Sequence, residues 1–172
     1  MYLFCDIDGV LIPFPAPDGS IPGTHHVHSA PFTGQDRLVR IWLNPAHGVM
    51  LATLSADTGL EPVWCSTWRT DSAPQIGTRL GLPYWPTVEL STPPTDTSHP
   101  GGYLWKRDHL ERHARGAPLA WIDDDFTASD HAWARTRNYT VPTLLIEPDP
   151  HLGLQPEHLK VIRAWAPVPV AS

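Results

Sequence analysis

The sequence predicts an α/β fold: a mostly parallel sheet with helices packed on both faces. Short apolar runs alternate along the chain with helix-like patterns, at the spacing typical of βαβ units. Connections between parallel strands are right-handed, which places the intervening helices on the faces of the sheet. Two of the apolar runs end in carboxylates, and parallel strands bring such ends together at one edge of a sheet. With 172 residues, the chain is long enough to form one domain with its own core.

Boundary signals are clear in the first half of the chain. Pro, Gly, His and Ser residues concentrate after the first apolar run, which predicts a loop. Asn44 and Pro45 are a cap and a first-turn residue typical of a helix start. We therefore expect, in chain order, a strand over 2–7, a loop over 13–36, a strand or hairpin arm over 38–43 that pairs with 26–30, a helix over 45–56 and a strand over 62–66.

Helical and extended patterns continue to alternate in the second half. Gly81 is expected near the C-terminus of a helix, where glycine accepts a left-handed backbone. Pro, Thr and Gly residues over 91–102 predict a long loop. The other expected elements are a helix over 72–80, a strand over 86–90, a helix over 103–114, a strand over 119–122, a helix over 128–138, a strand over 141–146 and a helix over 156–164. Together they predict a single domain over 1–166, with 13–43 as a flap or loop insert and 167–172 as a Pro-rich tail.

Composition excludes several classes of protein. Lys and Arg number 12 and Asp and Glu number 18, so the net charge is −6 and strong non-specific nucleic-acid binding is not expected. No run of 18 apolar residues is present, so no membrane association is expected, and the first residues lack the pattern of a signal peptide. Cys5 and Cys65 lie in apolar runs, which predicts buried free thiols. These features are typical of a cytoplasmic protein.

Two carboxylates, Asp6 and Asp8, follow the apolar start of the chain at positions i and i+2. In an extended segment this spacing puts both side chains on one side. Gly9 then lets the backbone turn and lets a ligand approach closely. Two like charges held so near each other require a cation or a shared proton. The pattern predicts a metal site or an acid and nucleophile pair.

A second acidic cluster, Asp123-Asp124-Asp125, ends the apolar run 118–122. Either cluster alone has a plain structural explanation, because an Asp after a strand often caps the next helix or shapes a turn. Both clusters, each at the end of an apolar strand, favour a shared ligand site at one edge of the sheet.

These residues resemble the four ordered motifs of the haloacid dehalogenase-like (HAD) phosphohydrolase superfamily. Its members share a three-layer, Rossmann-like fold, and the order and spacing of the motifs here leave room for a small flap but for no large cap domain. The motifs in this chain are Asp6-Ile7-Asp8-Gly9-Val10; Ser66 after Val63-Trp64-Cys65, with Thr67 as a rival; Lys106; and Trp121-Ile122-Asp123-Asp124.

Within the superfamily, the chain is most similar to a compact bacterial group, the HAD domains of Swiss Army Knife RNA-repair-like proteins. The similarity lies in the stretch from Val63 to Arg69, the helix over 45–54 and the Trp-Ile-Asp-Asp-Asp run. It implies a Mg²⁺-dependent phosphohydrolase that forms an aspartyl-phosphate. The implied substrate is a phosphorylated small molecule or a nucleic-acid end, and the open site would admit a bulky one. The alternative is a catalytically silent HAD-like binding module.

The resemblance also implies the role of each residue. Asp6 would be the nucleophile, and Asp8 would protonate the leaving group and then activate water. Mg²⁺ would be held by the Asp6 carboxylate, the Asp8 main-chain carbonyl and one acid of the second cluster, with the choice between Asp123 and Asp124 left open. Such a ligand set suits Mg²⁺, which prefers a few carboxylates together with substrate phosphate.

The remaining implied residues would bind the phosphoryl group. Ser66 or Thr67 would hydrogen-bond one of its oxygens, and Lys106 would neutralise another. Gly9 would allow its close approach, and Arg69 would contact the substrate.

Tryptophans and loop histidines suggest less about function. Trp64 and Trp121 lie inside strands and are expected in the core, and Trp68 is expected to pack against the next helix rather than to stack on a base. The histidines at 25, 26 and 28 are expected to be solvated residues of the flap.

Overall fold

The computed structural model describes residues 1–33, 36–91 and 99–166. The predicted tail over 167–172 and most of the predicted loop over 91–102 lie outside these ranges. The strands and helices, in chain order, are β1 (Tyr2–Cys5), β2 (His26–Ala30), β3 (Val39–Leu43), α1 (Pro45–Thr58), β4 (Glu61–Trp64), α2 (Arg107–Ala114), β5 (Leu119–Ile122), α3 (Ala128–Arg137), β6 (Thr143–Ile146) and α4 (Pro156–Trp165).

Four strands form one parallel sheet in the order β4-β1-β5-β6. The first strand is therefore central, and it pairs with β4 on one side and with β5 on the other. The register sets Cys5 opposite both Trp64 and Ile122, so these three strands end at the same level. The predicted α/β class with a mostly parallel sheet is confirmed.

The two faces of the sheet carry separate hydrophobic clusters. One cluster contains Leu3 and Ile122 of the sheet with Leu51 of α1 and Ile162 of α4. The other contains strand residues of opposite parity, among them Trp121, together with α2, and Trp133 of α3 packs against it. Alternate strand residues thus serve opposite faces, and the fold has the three layers expected. No helix within the described ranges is long and apolar enough to cross a membrane.

The segment expected as a flap contains an antiparallel hairpin of β2 and β3, in which His26 pairs with Leu43 and Ala30 with Val39. The predicted pairing of 38–43 with 26–30 is confirmed. His25, however, is buried rather than solvated, and its ring packs edge-on against that of His47 in α1, with 5.6 Å between the ring centroids. This contact attaches the base of the flap to the helical layer.

Two predicted elements are replaced by other structure, and a third begins later than predicted. Residues 86–90 form no strand and make a single bridge between Thr87 and Trp64. The predicted helix over 72–80 is instead a 3₁₀ turn, Arg69–Asp71, followed by a π-helical turn, Ser72–Gly77. The N–H of Thr78 donates to the carbonyl of Ala73 at 2.9 Å, an i→i−5 bond that makes the turn wider than an α-helical one.

The helix predicted over 103–114 begins four residues late. The backbone N–H of Leu104 donates to the carboxylate of Asp130 at 2.9 Å, and the first α-helical bond runs from the N–H of Leu110 to the carbonyl of Lys106 at 3.0 Å. Lys106 consequently precedes α2 rather than lying on it.

We expect His47 to make the fold sensitive to acid. Burial, together with the neighbouring His25, lowers the pKa of His47 from 6.5 to about 4, and the ring is almost fully buried. The unfolded chain therefore binds the proton first. The stabilising effect is complete above pH 6.5 and is lost as the pH falls toward 4. Between pH 7.5 and pH 5 the loss should be about 2 kcal/mol.

Urea unfolding at those two pH values measures this loss. His47→Gln, whose amide is able to donate to the Leu154 carbonyl that His47 contacts at 3.0 Å, should remove most of the pH dependence that His47 contributes. His26→Gln, which changes an exposed histidine of the flap next to the buried His25, should leave this pH dependence intact. Equal pH dependence in all three proteins would contradict the assignment.

Candidate active site

The register of the central strands brings two distant acids side by side. The backbone N–H of Asp6 donates to the carbonyl of Ile122 at 3.0 Å, so pairing continues one residue beyond β1. Asp123, the residue after β5, therefore lies beside Asp6. Both carboxylates are buried at the C-terminal edge of the sheet, where the sequence predicted them.

Asp124 joins them to form a cluster of three carboxylates. One oxygen from each of Asp6, Asp123 and Asp124 lies within 4.8 Å of the others, a spacing at which three oxygens are able to share one metal ion. Gly9 leaves room for this arrangement, since a Cβ there would lie 2.1 Å from Oδ2 of Asp124. Its φ of 70° is also a conformation that favours glycine.

Lys106 is buried between the acids of the two strands. Its ammonium donates to Oδ2 of Asp6 and, at 2.9 Å, to Oδ2 of Asp123. Burial alone would lower the pKa of Lys106, but the carboxylates of Asp123 and Asp6 outweigh it and hold the pKa well above its ordinary value. Lys106 therefore remains charged and joins β1 to β5 at the site.

Asp130, which was not predicted as a site residue, holds the segment that carries Lys106. This fully buried carboxylate accepts from the N–H of Leu104 at 2.9 Å and from Arg107 at 3.1 Å. It also accepts from the N–H and hydroxyl of Thr127, the N-cap of α3. A Thr followed three residues later by an acid is the signature of a capping box. The sequence therefore indicates the cap of α3, but not the hydrogen bond from the Leu104 N–H to the same carboxylate.

Asp8 lies beside the cluster and is held by different residues. The indole N–H of Trp68 donates to its two carboxylate oxygens at 3.2 and 3.1 Å, and the hydroxyl of Thr67 donates at 3.3 Å. Burial, reinforced by the charge of Asp6, raises the pKa of Asp8 to about 6, although these hydrogen bonds oppose the rise. Trp68 is buried as expected, but its role as a donor to Asp8 was not foreseen.

The predicted phosphate-binding residues occupy different positions around this edge. The buried hydroxyl of Ser66 accepts from the N–H of Trp68 at 3.4 Å in a tight turn, whereas Thr67 contacts Asp8. The guanidinium of Arg69 donates to the carbonyl of Ser91 at 2.7 Å, at the rim. Arg69 also has a φ of 48°, in the left-handed region.

The cysteines flank the site from within the core and are free and buried, as predicted. Cys5 precedes Asp6, and Cys65 precedes Ser66. Burial, more than the neighbouring charges, raises the pKa of both thiols well above the ordinary value. They are packing residues next to the site rather than reactive thiolates. Trp64 and Trp121 are fully buried core residues, also as predicted.

The donor set fits a hard divalent cation. Lys106 contacts Asp6 and Asp123 and supplies one positive charge to a cluster of three carboxylates. Burial, with Asp6 adding to it, raises the pKa of Asp123 well above its ordinary value and that of Asp124 to about 7. Buried carboxylates with raised pKa values gain most from a cation. Oxygen ligands of this kind are those that Mg²⁺ prefers.

We expect Gly9→Ala to weaken Mg²⁺ binding, because the new Cβ would displace the carboxylate of Asp124. Gly19→Ala is the matched control: its φ is 79°, but no heavy atom lies within 4 Å of the added Cβ. Both changes should cost about 1 kcal/mol of stability from the left-handed backbone. Calorimetric titration with Mg²⁺ should show weaker binding for Gly9→Ala alone. Unchanged binding in a folded Gly9→Ala protein would exclude Asp124 from the metal site.

Comparison with known proteins points to one family. The family model described as the HAD domain in Swiss Army Knife RNA repair proteins matches residues 2–159. No curated protein and no solved structure matches the chain. The matched span includes Asp6, Asp8, Lys106 and the second acidic cluster, and the HAD family implies phosphohydrolase-type chemistry. The chain belongs to the family of HAD domains found in Swiss Army Knife RNA repair proteins.

Proposed function

We propose that the protein is a Mg²⁺-dependent phosphohydrolase that acts through an aspartyl-phosphate on Asp6. The observation that carries the proposal is the buried cluster of Asp6, Asp123 and Lys106, with Asp8 beside it. A structural role alone does not require two strand-end acids, a buried lysine and an adjacent acid at the ligand-binding edge of a parallel sheet.

In the first step, a carboxylate oxygen of Asp6 attacks phosphorus and the bond from phosphorus to the ester oxygen breaks. Oδ1 of Asp6 accepts from the N–H of Ile7 at 2.6 Å, and Oδ2 contacts Lys106, so the side chain has a fixed orientation. A fixed nucleophile avoids the entropic cost of finding the reactive geometry. The ammonium of Lys106 lies next to the position where the phosphoryl oxygens would bind and would stabilise their negative charge.

Asp8 supplies the proton for the leaving alkoxide. With a pKa of about 6, the carboxyl group of Asp8 is protonated in a useful fraction of molecules near neutral pH and still loses its proton easily. Trp68 and Thr67 fix its direction. In the second step, Asp8 accepts a proton from water as the water oxygen attacks phosphorus, and the bond between phosphorus and Asp6 breaks to release phosphate.

Asp6, the main-chain carbonyl of Asp8 and Asp123 or Asp124 would hold Mg²⁺. The cation would reduce the repulsion between the Asp6 carboxylate and an anionic substrate.

For the substrate, we propose a phosphorylated nucleic-acid end or another bulky phosphomonoester. A cavity of about 530 Å³ opens beside the donors to Asp8, between Phe32 and the segment from Thr67 to Asp71, and Arg69 lines it. Because the chain has a net charge of −6, attraction to a polyanion would come from local cations such as Arg69.

Asp6→Asn should abolish Mg²⁺-dependent hydrolysis of an aryl phosphate, because an amide oxygen is too poor a nucleophile to form the acyl-phosphate. Asp125→Asn, which changes an exposed acid next to the cluster, should retain activity. The measurement is phosphate release with and without Mg²⁺, with circular dichroism to confirm that both variants fold. Undiminished turnover by folded Asp6→Asn would exclude this mechanism, and an inactive wild-type protein that binds Mg²⁺ would favour the silent binding module.

A phosphorylated oligonucleotide should have a higher kcat/KM than a sugar phosphate of the same ester type, because it covers more of the open cavity. The ratio of kcat/KM for the oligonucleotide to kcat/KM for the sugar phosphate should fall as the salt concentration rises, since local cations supply part of the binding. The comparison is made at two salt concentrations. If the sugar phosphate is preferred by about a hundredfold, roughly 2.7 kcal/mol of transition-state binding, the flap closes as a lid and the substrate is small.

A further inference from the structure

A second, smaller cavity shares the rings of Phe32 and Trp68 with the first, and its walls are largely apolar, with four aromatic rings among them. Its volume is about 250 Å³, just below the range of about 300–1,000 Å³ typical of small-molecule sites. It therefore suits a single ring system. We call it the aromatic subsite; its lining includes Asp8, Phe14, Phe32, Arg40, Trp42 and Trp68.

The flap builds most of this cavity. Arg40 and Trp42 are two residues apart on β3, so they share one face of the hairpin. The indole N–H of Trp42 donates to the carbonyl of Pro13 at 2.7 Å, which ties the hairpin to the turn after Gly9 and fixes the ring. Phe32 packs edge-on against Trp68, with 5.0 Å between the ring centroids. The walls are thus formed before any ligand binds.

Core packing does not explain all of this lining. Phe14 is 45% exposed, and Arg40 is exposed as well. An exposed aromatic ring beside a cation and next to a buried acid is typical of a ligand site rather than of a hydrophobic core. Aromatic faces stack on planar rings, and a guanidinium binds phosphate or stacks on a base.

The position of the aromatic subsite relative to Asp8 determines which part of a substrate would enter the subsite. In the function proposed above, Asp8 donates to the leaving oxygen, so the alcohol part of the ester must lie on the Asp8 side of the phosphorus. The aromatic subsite is lined by Asp8, whereas the carboxylates of Asp123 and Asp124 are not part of its lining. A group attached to the leaving oxygen would therefore extend into it.

We propose that the aromatic subsite binds the alcohol part of a nucleotide, with its base against Phe14 and Trp42 and a second anionic group on Arg40. The proposal rests on the proposed function for the identity of the leaving-group side. It adds a specificity that the four motifs do not contain, because every residue of the flap that it uses lies between the first and second motifs.

Binding is measured without turnover on the Asp6→Asn protein loaded with Mg²⁺. Calorimetric titration with adenosine 5′-monophosphate should give an affinity about tenfold higher than with ribose 5-phosphate, which lacks the base but has the same ester. Adding Phe14→Ala should remove most of this difference. Tyr139→Ala, which truncates a ring that is 90% exposed and outside the cavity lining, should leave it unchanged.

Arg40 is tested with a second anionic group. Adenosine 3′,5′-bisphosphate should bind about tenfold more tightly than the monophosphate at low salt, and Arg40→Gln should abolish the gain. Arg37→Gln, which changes another exposed arginine near the hairpin, should preserve it.

The outcomes separate this proposal from the function on which it rests. A base preference that depends on Phe14 supports the subsite even if the wild-type protein hydrolyses nothing, and in that case the proposed function alone fails. Equal affinities for the nucleotide and the ribose phosphate, or a base preference unaffected by Phe14→Ala in a folded protein, would overturn the subsite even if aryl phosphates are hydrolysed.

Discussion

The site depends on one buried interaction, the contact of the Lys106 ammonium with the carboxylates of Asp6 and Asp123. Taking these charges out of water costs several kcal/mol per ion, and only close, hydrogen-bonded pairing repays it. Removing the lysine would leave adjacent acids unpaired, at a cost of about 3–5 kcal/mol. The same interaction joins two strands that are distant in sequence, so the stability of this edge and the alignment of its acids have one physical cause.

Two supporting groups act on this centre from different parts of the fold. Asp130 fixes the segment before α2 and so sets where the ammonium lies, while Trp68 and Thr67 fix Asp8. The first support belongs to the helical layer and the second to the turn after β4. Asp6 and Asp123, which contact Lys106, are therefore positioned independently of Asp8. This independence suits a reaction in which one carboxylate is a nucleophile and another exchanges protons.

The sequence predicted the sheet and the convergence of Asp6 with Asp123, because strand ends in a parallel sheet meet at one edge and both acids follow apolar runs. It placed Lys106 near the site only through the resemblance to a family. It did not predict Asp130 as a support, since a capping box reveals the cap but not the distant Leu104 N–H that the same carboxylate binds. The burial of His25 was missed because it depends on a tertiary contact with His47 that no local pattern encodes.

The central place of β1 has a consequence for how the chain acquires its structure. During synthesis β1 emerges before both of its partners; it is able to pair with β4 first, but its other edge remains unpaired until β5, more than a hundred residues later, is made. Closing so long a loop is entropically slow, and contacts of this range slow folding. Until β5 pairs with it, one edge of the apolar strand β1 has unpaired backbone groups, which favours pairing with other chains. We expect the catalytic edge to be among the last parts to form, so that partly synthesised chains are inactive and prone to aggregation.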